Sequence, residues 1–369
     1  MQIPTCRFDF EARLPWRGAD IVDVCAIRAA CGHLLVLTAD GGLHGVDLAS
    51  SEVTPLCQVT LPVFEPDNPD NDVFGRRGLG LHASANGEFA AIVVDRGRDG
   101  LLVSTASGEV TMRLDGGDDC EGTVPFSVAF VRHEGRDVLI HRTDWNRLDA
   151  SDAATGALLT ERYIAPNESG QPDPAHYLDY FHGRLHVSPE GGRIFDDGWF
   201  WHPVAVGSVW SLSDWLQRNP WESEDGASRV YTIPRNDWDL PGCWIDEDHF
   251  AVWGLDDWDH DEFLGADQNA GVCIHDFRAS PEPTTRRVPM ALNGAKVIDL
   301  FSDGRHLFVA TENGTTAWDI ASGTRVATCA DFVPRLHDRA RDRLVAFGPD
   351  ALTEWSYGPS RHDLGKLVV

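Results

Sequence analysis

Lysine is nearly missing from this sequence. Lys296 and Lys366 are the only two, and 58 acidic residues face 31 basic ones, which gives a formal net charge of −27. Nucleic acids and anionic membranes are bound largely by neutralising their phosphates with Lys and Arg side chains. The charge therefore argues against both as partners. It predicts a protein partner, for which a basic protein is the natural electrostatic match.

Long apolar runs are also missing. No stretch approaches the roughly 18 consecutive apolar residues of a membrane span. The opening segment, MQIPTCRFDFEARLPW, places Arg7, Glu11 and Arg13 where a signal peptide needs an apolar run. We therefore expect a soluble protein without a cleaved leader.

The cysteines lack the spacing of a metal site or a redox motif. None of them forms a CxxC pair or alternates with His at zinc-ligand distances. Several lie inside apolar runs, such as IVDVCAI (21–27) and GVCIHDF (271–277). Free thiols of this kind are typical of a reducing compartment, so we predict a cytoplasmic protein.

Common catalytic motifs are missing too. The sequence has no G-x-S-x-G, no H-E-x-x-H and no P-loop. The segment GLGLHA (78–83) fits a dinucleotide fingerprint loosely, but it begins a predicted strand and does not open a helix. The sequence therefore favours a non-enzymatic protein and leaves an enzyme as the alternative.

Helical periodicity is absent from every long segment, and a repeated β pattern takes its place. The clearest unit is FSDGRHLFVATENGTTAWDIASGTRVATC (301–329). It predicts a strand over 306–311, a tight Asn313-Gly314 turn and a strand ending at Trp318-Asp319. Asn-Gly between apolar residues indicates a type I′ hairpin, whose two central residues both need positive φ.

A turn of the form D/S-x-A-S/T-G/S marks further copies of this unit. It occurs at 47–51, 104–108, 152–156 and 319–323, with weaker counterparts at 211–214, 276–280 and 354–358. A fixed unit repeated in this way indicates a repeat architecture, in which neighbouring units supply each other's core.

The unit at 301–329 resembles a WD-repeat blade, and the chain as a whole resembles the β-propeller superfamily. The likeness rests on the Ser-Asp-Gly turn, the Asn-Gly-Thr hairpin and Trp318-Asp319. No blade begins with the Gly-His dipeptide common in WD repeats, and no other blade has Trp-Asp at the expected position. The resemblance implies an all-β single-domain propeller over 1–369, with seven four-stranded blades. The predicted blades are 17–62, 78–116, 123–164, 175–234, 236–291, 294–331 and 332–358, the last completed by a strand at 5–16 from the N-terminus.

Long connections are predicted on one face of this ring. If the strands of a blade are labelled a to d, the b–c and d–a connections share one face, here called the b–c face. The a–b and c–d connections share the other, the a–b face. The segment WGLDDWDHDEF (253–263) becomes an enlarged b–c connection in blade five, between strands at 249–254 and 270–276. Long loops on a rigid scaffold often carry function.

The b–c face is therefore the predicted binding surface, and its acidic loops are the predicted contact. The d–a connection at 62–77 adds acidic residues to it, as does the one at 164–176. The candidate partner-binding residues are Asp256, Asp257, Trp258, Asp259, His260, Asp261, Asp67, Asp70 and Asp72. In blade four, an insertion at 211–228 falls on the a–b face. There Ser213 is predicted to cap a short helix that runs from 214 to about 218.

Calcium is a weaker alternative for the same loop. Asp257, Asp259 and Asp261 have the one-three-five spacing of a calcium loop. However, Glu262 replaces the glycine that makes the sharp turn, and Gln268 at the twelfth position lacks a bidentate carboxylate. We therefore assign no cofactor and no metal.

Tryptophan is concentrated in the middle of the chain. Nine of the thirteen tryptophans lie between Trp199 and Trp258. Packing between blades is expected for most of them, whereas Trp258 is flanked by aspartates and is expected to be exposed. An exposed Trp of this kind is typical of protein-binding hot spots and also of sugar stacking.

Three functions are consistent with the sequence. The leading hypothesis is a non-enzymatic interaction module, or scaffold, that binds a protein through its acidic, loop-rich face. The second is a calcium-dependent or carboxylate-based hydrolase in the central funnel, which inward-facing paired acids would favour. The third is a structural subunit of a larger complex.

Overall fold

The fold consists of short antiparallel strands. A computed structural model describes residues 6–65, 77–119, 122–163, 176–200, 204–258, 268–278 and 282–359. Its elements are β1 (Cys6–Pro15), β2 (Ile21–Ala29), β3 (Gly32–Thr38), β4 (Gly42–Asp47), β5 (Glu52–Gln58), β6 (Gly78–Ala83), β7 (Phe89–Asp95), β8 (Asp99–Ser104), β9 (Val110–Asp115), β10 (Val128–His133), β11 (Arg136–Asp144), β12 (Arg147–Asp152), β13 (Phe181–Val187), β14 (Arg193–Phe200), β15 (Val204–Ala205), β16 (Ser208–Ser211), α1 (Leu212–Gln217), α2 (Glu222–Asp225), β17 (Val230–Tyr231), β18 (Gly242–Trp244), β19 (His249–Trp253), β20 (Gly271–Asp276), β21 (Thr284–Pro289), β22 (Val297–Ser302), β23 (His306–Thr311), β24 (Gly314–Asp319), β25 (Thr324–Ala330), β26 (Leu336–Asp338), β27 (Arg343–Gly348) and β28 (Ala351–Pro359). No helix in the described ranges is long and apolar enough to cross a membrane.

These strands form seven sheets, and each sheet is one blade. Blades one, two, five and six are β2–β5, β6–β9, β18–β21 and β22–β25 in simple sequential order. In blade seven, β26, β27 and β28 are completed on the outside by β1, which pairs antiparallel with β28. The predicted all-β architecture of seven blades, closed by the N-terminal strand, is confirmed.

The apolar core lies between the blades. Seven separate clusters of buried side chains occur, one at each junction between neighbouring blades, including the junction of blades seven and one. Trp318, for example, is buried between blades five and six. Each blade therefore buries both of its faces against neighbours, which closes the ring.

Blade three departs from the four-stranded pattern at its outer edge. Its sheet contains β10, β11 and β12 among the described residues. Beyond β12, the Leu159 N–H donates to the Ala150 carbonyl at 2.8 Å. The Ala150 N–H donates to Thr160 Oγ1 at 3.0 Å, and Arg162 Nη2 donates to the Leu148 carbonyl at 2.8 Å. One backbone and two side-chain hydrogen bonds thus pair the edge groups of β12 that a regular fourth strand would otherwise pair.

An insertion in blade four covers the same edge. Arg162 is almost completely buried and forms ion pairs with Asp149 at 2.6 Å and with Glu224 of α2. Its guanidinium also lies 5.4 Å from the centre of the Trp221 ring. The insertion therefore joins blades three and four along their outer rim.

The helix of this insertion begins earlier than predicted. Ser211, not Ser213, is the N-cap, and its Oγ accepts from the Asp214 N–H at 3.2 Å. The earlier start places Leu212 one turn before Trp215, and both are buried in the core between blades three and four. Burial of this apolar pair explains the difference, because helices in proteins are stabilised mainly by packing.

The four clear copies of the recurring turn, at 47–51, 104–108, 152–156 and 319–323, each follow strand c of a blade, whereas the weaker match at 354–358 is wrong because it lies inside β28. In blades one, three and six the first residue of the turn is Asp47, Asp152 or Asp319. The carboxylate of each accepts from the backbone N–H two or three residues later, at 2.8 to 3.1 Å. The last residue has positive φ, 58° at Ser51 and 66° at Gly323. In these three blades the Asp carboxylate and the left-handed residue therefore both stabilise the turn.

The hairpin of blade six is not the predicted type I′ turn. Thr311 pairs with Gly314, so the two loop residues are Glu312 and Asn313, and neither has positive φ. The residue with positive φ is Gly314 instead, at 130°. A Cβ at this position would lie 2.5 Å from the Cys329 carbonyl oxygen of the neighbouring strand. The glycine is required by close strand packing as well as by its φ.

Replacing this glycine tests that interpretation. Gly314→Ala should lower the free energy of unfolding by about 2 kcal/mol or more, because it combines backbone strain with a clash against backbone atoms. Gly348→Ala is the matched control, since a Cβ there meets nothing closer than 4.0 Å, and it should change stability by less than about 0.5 kcal/mol. Chemical denaturation of both variants measures the difference, and equal stabilities would contradict the assignment.

Candidate functional site

The structure confirms that the long connection of blade five joins strands b and c. Residues 254–270 connect β19 to β20, which pair antiparallel as strands b and c. Asp256, Asp257 and Trp258 are in the first part of this connection. The other predicted site residues, Asp259, His260, Asp261, Asp67, Asp70 and Asp72, lie outside the described residues.

The carboxylates of Asp256 and Asp257 are held by other parts of the protein. Asn236 donates from Nδ2 to Asp256, and Arg287 forms an ion pair with Asp257 at 2.8 Å. The Asn269 side-chain oxygen accepts from the Asp256 N–H at 2.8 Å. These contacts fix the base of the connection, so both acids contribute to its shape.

Trp258 is exposed, as predicted. Its side chain is 42 % accessible, while its N–H donates to the Pro234 carbonyl at 3.2 Å. Tyr163 and Tyr177, in the connection from blade three to blade four, are 79 % and 56 % accessible. The described part of the b–c face therefore presents three exposed aromatic side chains.

An aromatic stack lies beneath them. The rings of Phe181 and Trp199 are parallel, with centres 4.2 Å apart, and Trp238 stacks on Trp199 at 5.2 Å. Trp145 packs on the other side of Phe181 at 4.5 Å and meets the exposed Tyr177 at 6.5 Å. The stack links the connections of blades three, four and five into one surface.

A chain of ion pairs lies next to this stack. Asp239 forms ion pairs with Arg96 of blade two and, at 3.4 Å, with Arg184 of blade four. Arg96 and Asp239 both have left-handed φ, 60° and 55°. Non-glycine residues in this region cost about 1 kcal/mol or more each, and the Arg96–Asp239 ion pair joins two such residues.

The central axis is lined by strand a of each blade. These strands contact one another from blade to blade, β2 with β6, β6 with β10, β10 with β13, β13 with β18, β18 with β22 and β26 with β2. Asp23, Arg184 and Asp299 are charged residues on three of them. The side chain of Arg184 is 49 % accessible although it lies at the centre of the ring. Solvent therefore reaches the centre of the ring at Arg184, and we call this central space the channel.

Burial shifts the pKa values of the channel residues. It raises the pKa of Asp23 and that of Asp299 to about 6 each, because the charged carboxylates lose hydration. It lowers the pKa of His82 to about 4 and that of His186 to about 3 for the same reason. Both histidines are therefore neutral at pH 7, whereas the two aspartates titrate just below it.

A cavity of about 370 Å³ lies within the channel, between blades four and seven. Its lining includes Arg184, His186, Asp299, Arg335 and Arg339. A volume of this size suits a small molecule. Sequence reasoning did not find these residues.

Irregularities in strand pairing occur at the three charged residues of the inner strands. The register between strands a and b shifts just before Asp23 in blade one and just before Asp299 in blade six, and it shifts between Phe181 and Arg184 in blade four. Bulges of this kind redirect side chains and are enriched near functional sites. The sequence signal is a charged residue inside an apolar strand, as in IVDVCAI and KVIDLFS.

No cluster suited to a metal ion is found in the described part of the chain. None of its groups brings together three or more His, Cys, Asp or Glu side chains in a suitable arrangement. Of the calcium candidates, Asp257 is paired with Arg287, while Asp259 and Asp261 lie outside the described ranges.

Comparison with known proteins identifies the architecture. No family model matches the sequence, and no curated protein matches it. Among solved structures, the chain is similar to the β-propeller domain of Cps50 (Swd1) from Myceliophteria thermophila, with a TM-score of 0.56. The chain is a β-propeller. Sequence identity is 11 % over 95 % of this chain and 99 % of that one, so the likeness shows the fold of the propeller alone.

Stability should depend on pH through Asp299. Its pKa is about 6 in the folded propeller against 3.8 for an ordinary Asp. The folded state therefore holds this proton more tightly than the unfolded chain, and stability is lost as pH rises from about 4 to about 6. Asp299→Asn should be more stable than the parent at pH 7.5, and the gain should disappear near pH 4 in urea titrations.

Asp276 provides a control with the opposite sign. Hydrogen bonding to Arg278 lowers the pKa of Asp276, so its ionised form stabilises the folded state above pH about 4. Asp276→Asn should therefore reduce stability at pH 7.5. If Asp299→Asn also reduced stability at pH 7.5, the raised pKa assigned to Asp299 would be wrong.

Proposed function

We propose that this propeller is a protein-interaction module of the cytoplasm that binds a protein partner through its b–c face. On this proposal it acts as a scaffold or as a subunit of a larger complex. Catalysis is not required for either role. The net charge of −27 favours a basic protein and disfavours nucleic acid and anionic membranes.

The observation that carries the proposal is the distribution of exposed aromatic side chains. Tyr163, Tyr177 and Trp258 are all in connections of the b–c face. Protein interfaces are enriched in Tyr and Trp, which serve as hot spots when their rings become buried. The aromatic stack below holds this surface rigid, which lowers the entropy cost of binding.

The long connections support the same face. Residues 59–77 join blade one to blade two, and residues 254–270 join the two central strands of blade five. By contrast, the a–b turns are short, such as the two residues between β2 and β3. Asp67, Asp70, Asp72, Asp259, His260 and Asp261 belong to these long connections, so we propose that they contribute acidic contacts around Trp258.

Substitution of Trp258 tests this surface. Trp258→Ala should remove a hot-spot ring and weaken capture of the partner by about tenfold or more. The triple variant with Asp259→Ala and Asp261→Ala should weaken it further if those acids meet a basic partner. Partners are identified by quantitative mass spectrometry of cross-linked complexes, followed by affinity measurement with the purified partner.

Phe10→Ala is the matched control. Phe10 is 55 % accessible, but it lies on the outermost strand of blade seven, away from the b–c face. This variant should bind the partner as the parent does. Unchanged affinity in the Trp258→Ala variant, or equal loss in both variants, would contradict the proposed surface.

A hydrolase in the channel is the second candidate, and one observation favours it. Asp23 and Asp299 lie on the inner strands of blades one and six, and burial raises the pKa of each to about 6, which suits a general acid near neutral pH. Chromogenic ester and glycoside substrates test it, with and without calcium. Turnover by the parent that is lost in Asp23→Asn or Asp299→Asn would support this candidate. Turnover in both variants equal to that of the parent would exclude these residues as catalytic groups.

A further inference from the structure

Arg184 has unused hydrogen-bonding capacity inside the channel. Its Nε lies 3.4 Å from Asp239, and its terminal nitrogens Nη1 and Nη2 donate no hydrogen bond to any described residue. The Arg184 side chain is 49 % accessible, and Arg184 lines the cavity. A guanidinium with two parallel free donors matches the two oxygens of a carboxylate or a phosphate.

Two further arginines line the same cavity. Arg335 stacks against Phe347 at 5.7 Å, and no carboxylate of the described residues lies within ion-pair distance of it. Arg339 donates to the carbonyls of Trp244 and Ile245, so its charge is not neutralised by an acid there. The lining thus contains three guanidinium groups and one carboxylate, that of Asp299, while Asp239 pairs with the Nε side of Arg184 from outside the lining.

The positive charge of this cavity contrasts with the rest of the protein. The chain carries a net charge of −27, yet the cavity lining is positive. The bulge between Phe181 and Arg184 sets the direction of the Arg184 side chain, so its position follows from the backbone. The arrangement is therefore a preorganised set of donors inside a cavity of small-molecule size.

We propose that the central channel binds a small molecule that carries a carboxylate or a phosphate group, held by Arg184 and Arg335. The two terminal nitrogens of Arg184 contact two oxygens of the anion, and Arg335 supplies a second positive charge from the opposite side of the cavity. Arg339 lines one end of the site. This site lies inside the ring, and its function does not depend on the proposed b–c surface.

Direct binding measurements test the proposal with defined anions. Sodium succinate supplies carboxylates and sodium phosphate supplies phosphate, each titrated into the full chain by calorimetry against sodium chloride of equal ionic strength. The parent should show saturable binding of at least one probe. The preferred probe identifies which group the natural ligand carries.

Variants of the channel locate the binding. Arg184→Gln should weaken affinity by about tenfold to hundredfold, because charge-assisted hydrogen bonds are lost. Arg335→Gln should weaken it as well, whereas Asp299→Asn should strengthen it by removing a competing negative charge. Arg184→Lys should fall between the parent and Arg184→Gln, since an ammonium keeps the charge without the paired geometry.

Arg325→Gln is the control, because Arg325 is exposed on the outer strand of blade six. It should bind both probes as the parent does. If Arg184→Gln fails to fold, the opposite effects of Arg335→Gln and Asp299→Asn decide the question. Absence of saturable binding in the parent would overturn the proposal. Equal affinity in the parent, Arg184→Gln and Arg335→Gln would overturn it as well.

Discussion

Mutual burial of the blade faces is the constraint on which the rest of this structure depends. A single four-stranded sheet cannot bury both of its faces, and each blade here obtains its core from the two blades beside it. The chain is linear, so one junction has to be made between its two ends. Pairing of β1 with β28, from Arg7 opposite Gly358 to Pro15 opposite Ala351, completes blade seven and allows the ring to close.

Ring closure also creates the channel. Once the blades are arranged around an axis, strand a of every blade faces that axis, and residues distant in sequence are brought together there. Arg96 and Asp239 are 143 positions apart, yet they form an ion pair at the b–c side of the channel. The polar residues of the inner strands therefore meet in one narrow space, where burial shifts the pKa values of Asp23 and Asp299 upward.

Local patterns in the sequence predicted the parts of the fold that depend on local chemistry. The c–d turns followed from Asp47, Asp152 and Asp319, because the carboxylate and the left-handed residue act within five positions. The exposure of Trp258 was predicted from the aspartates beside it. The two strands that the loop of blade five connects were predicted from the apolar segments on either side of it. The central funnel followed from the propeller fold, but the residues that line it could not be predicted, because the placement of Arg184 depends on an irregularity in the pairing of two strands. The start of α1 at Leu212 was missed because burial beside Trp215, and not the choice of cap, determines it.

The two proposed sites are separate surfaces that share one connection. Trp238 belongs to the aromatic stack of the b–c face, and the next residue, Asp239, forms the ion pairs with Arg96 and Arg184. Asp239 is held in a left-handed conformation, so the connection has little freedom to move one residue without the other. Trp238 and Asp239 therefore join the two surfaces at one point of the backbone, although each surface has its own set of contacts.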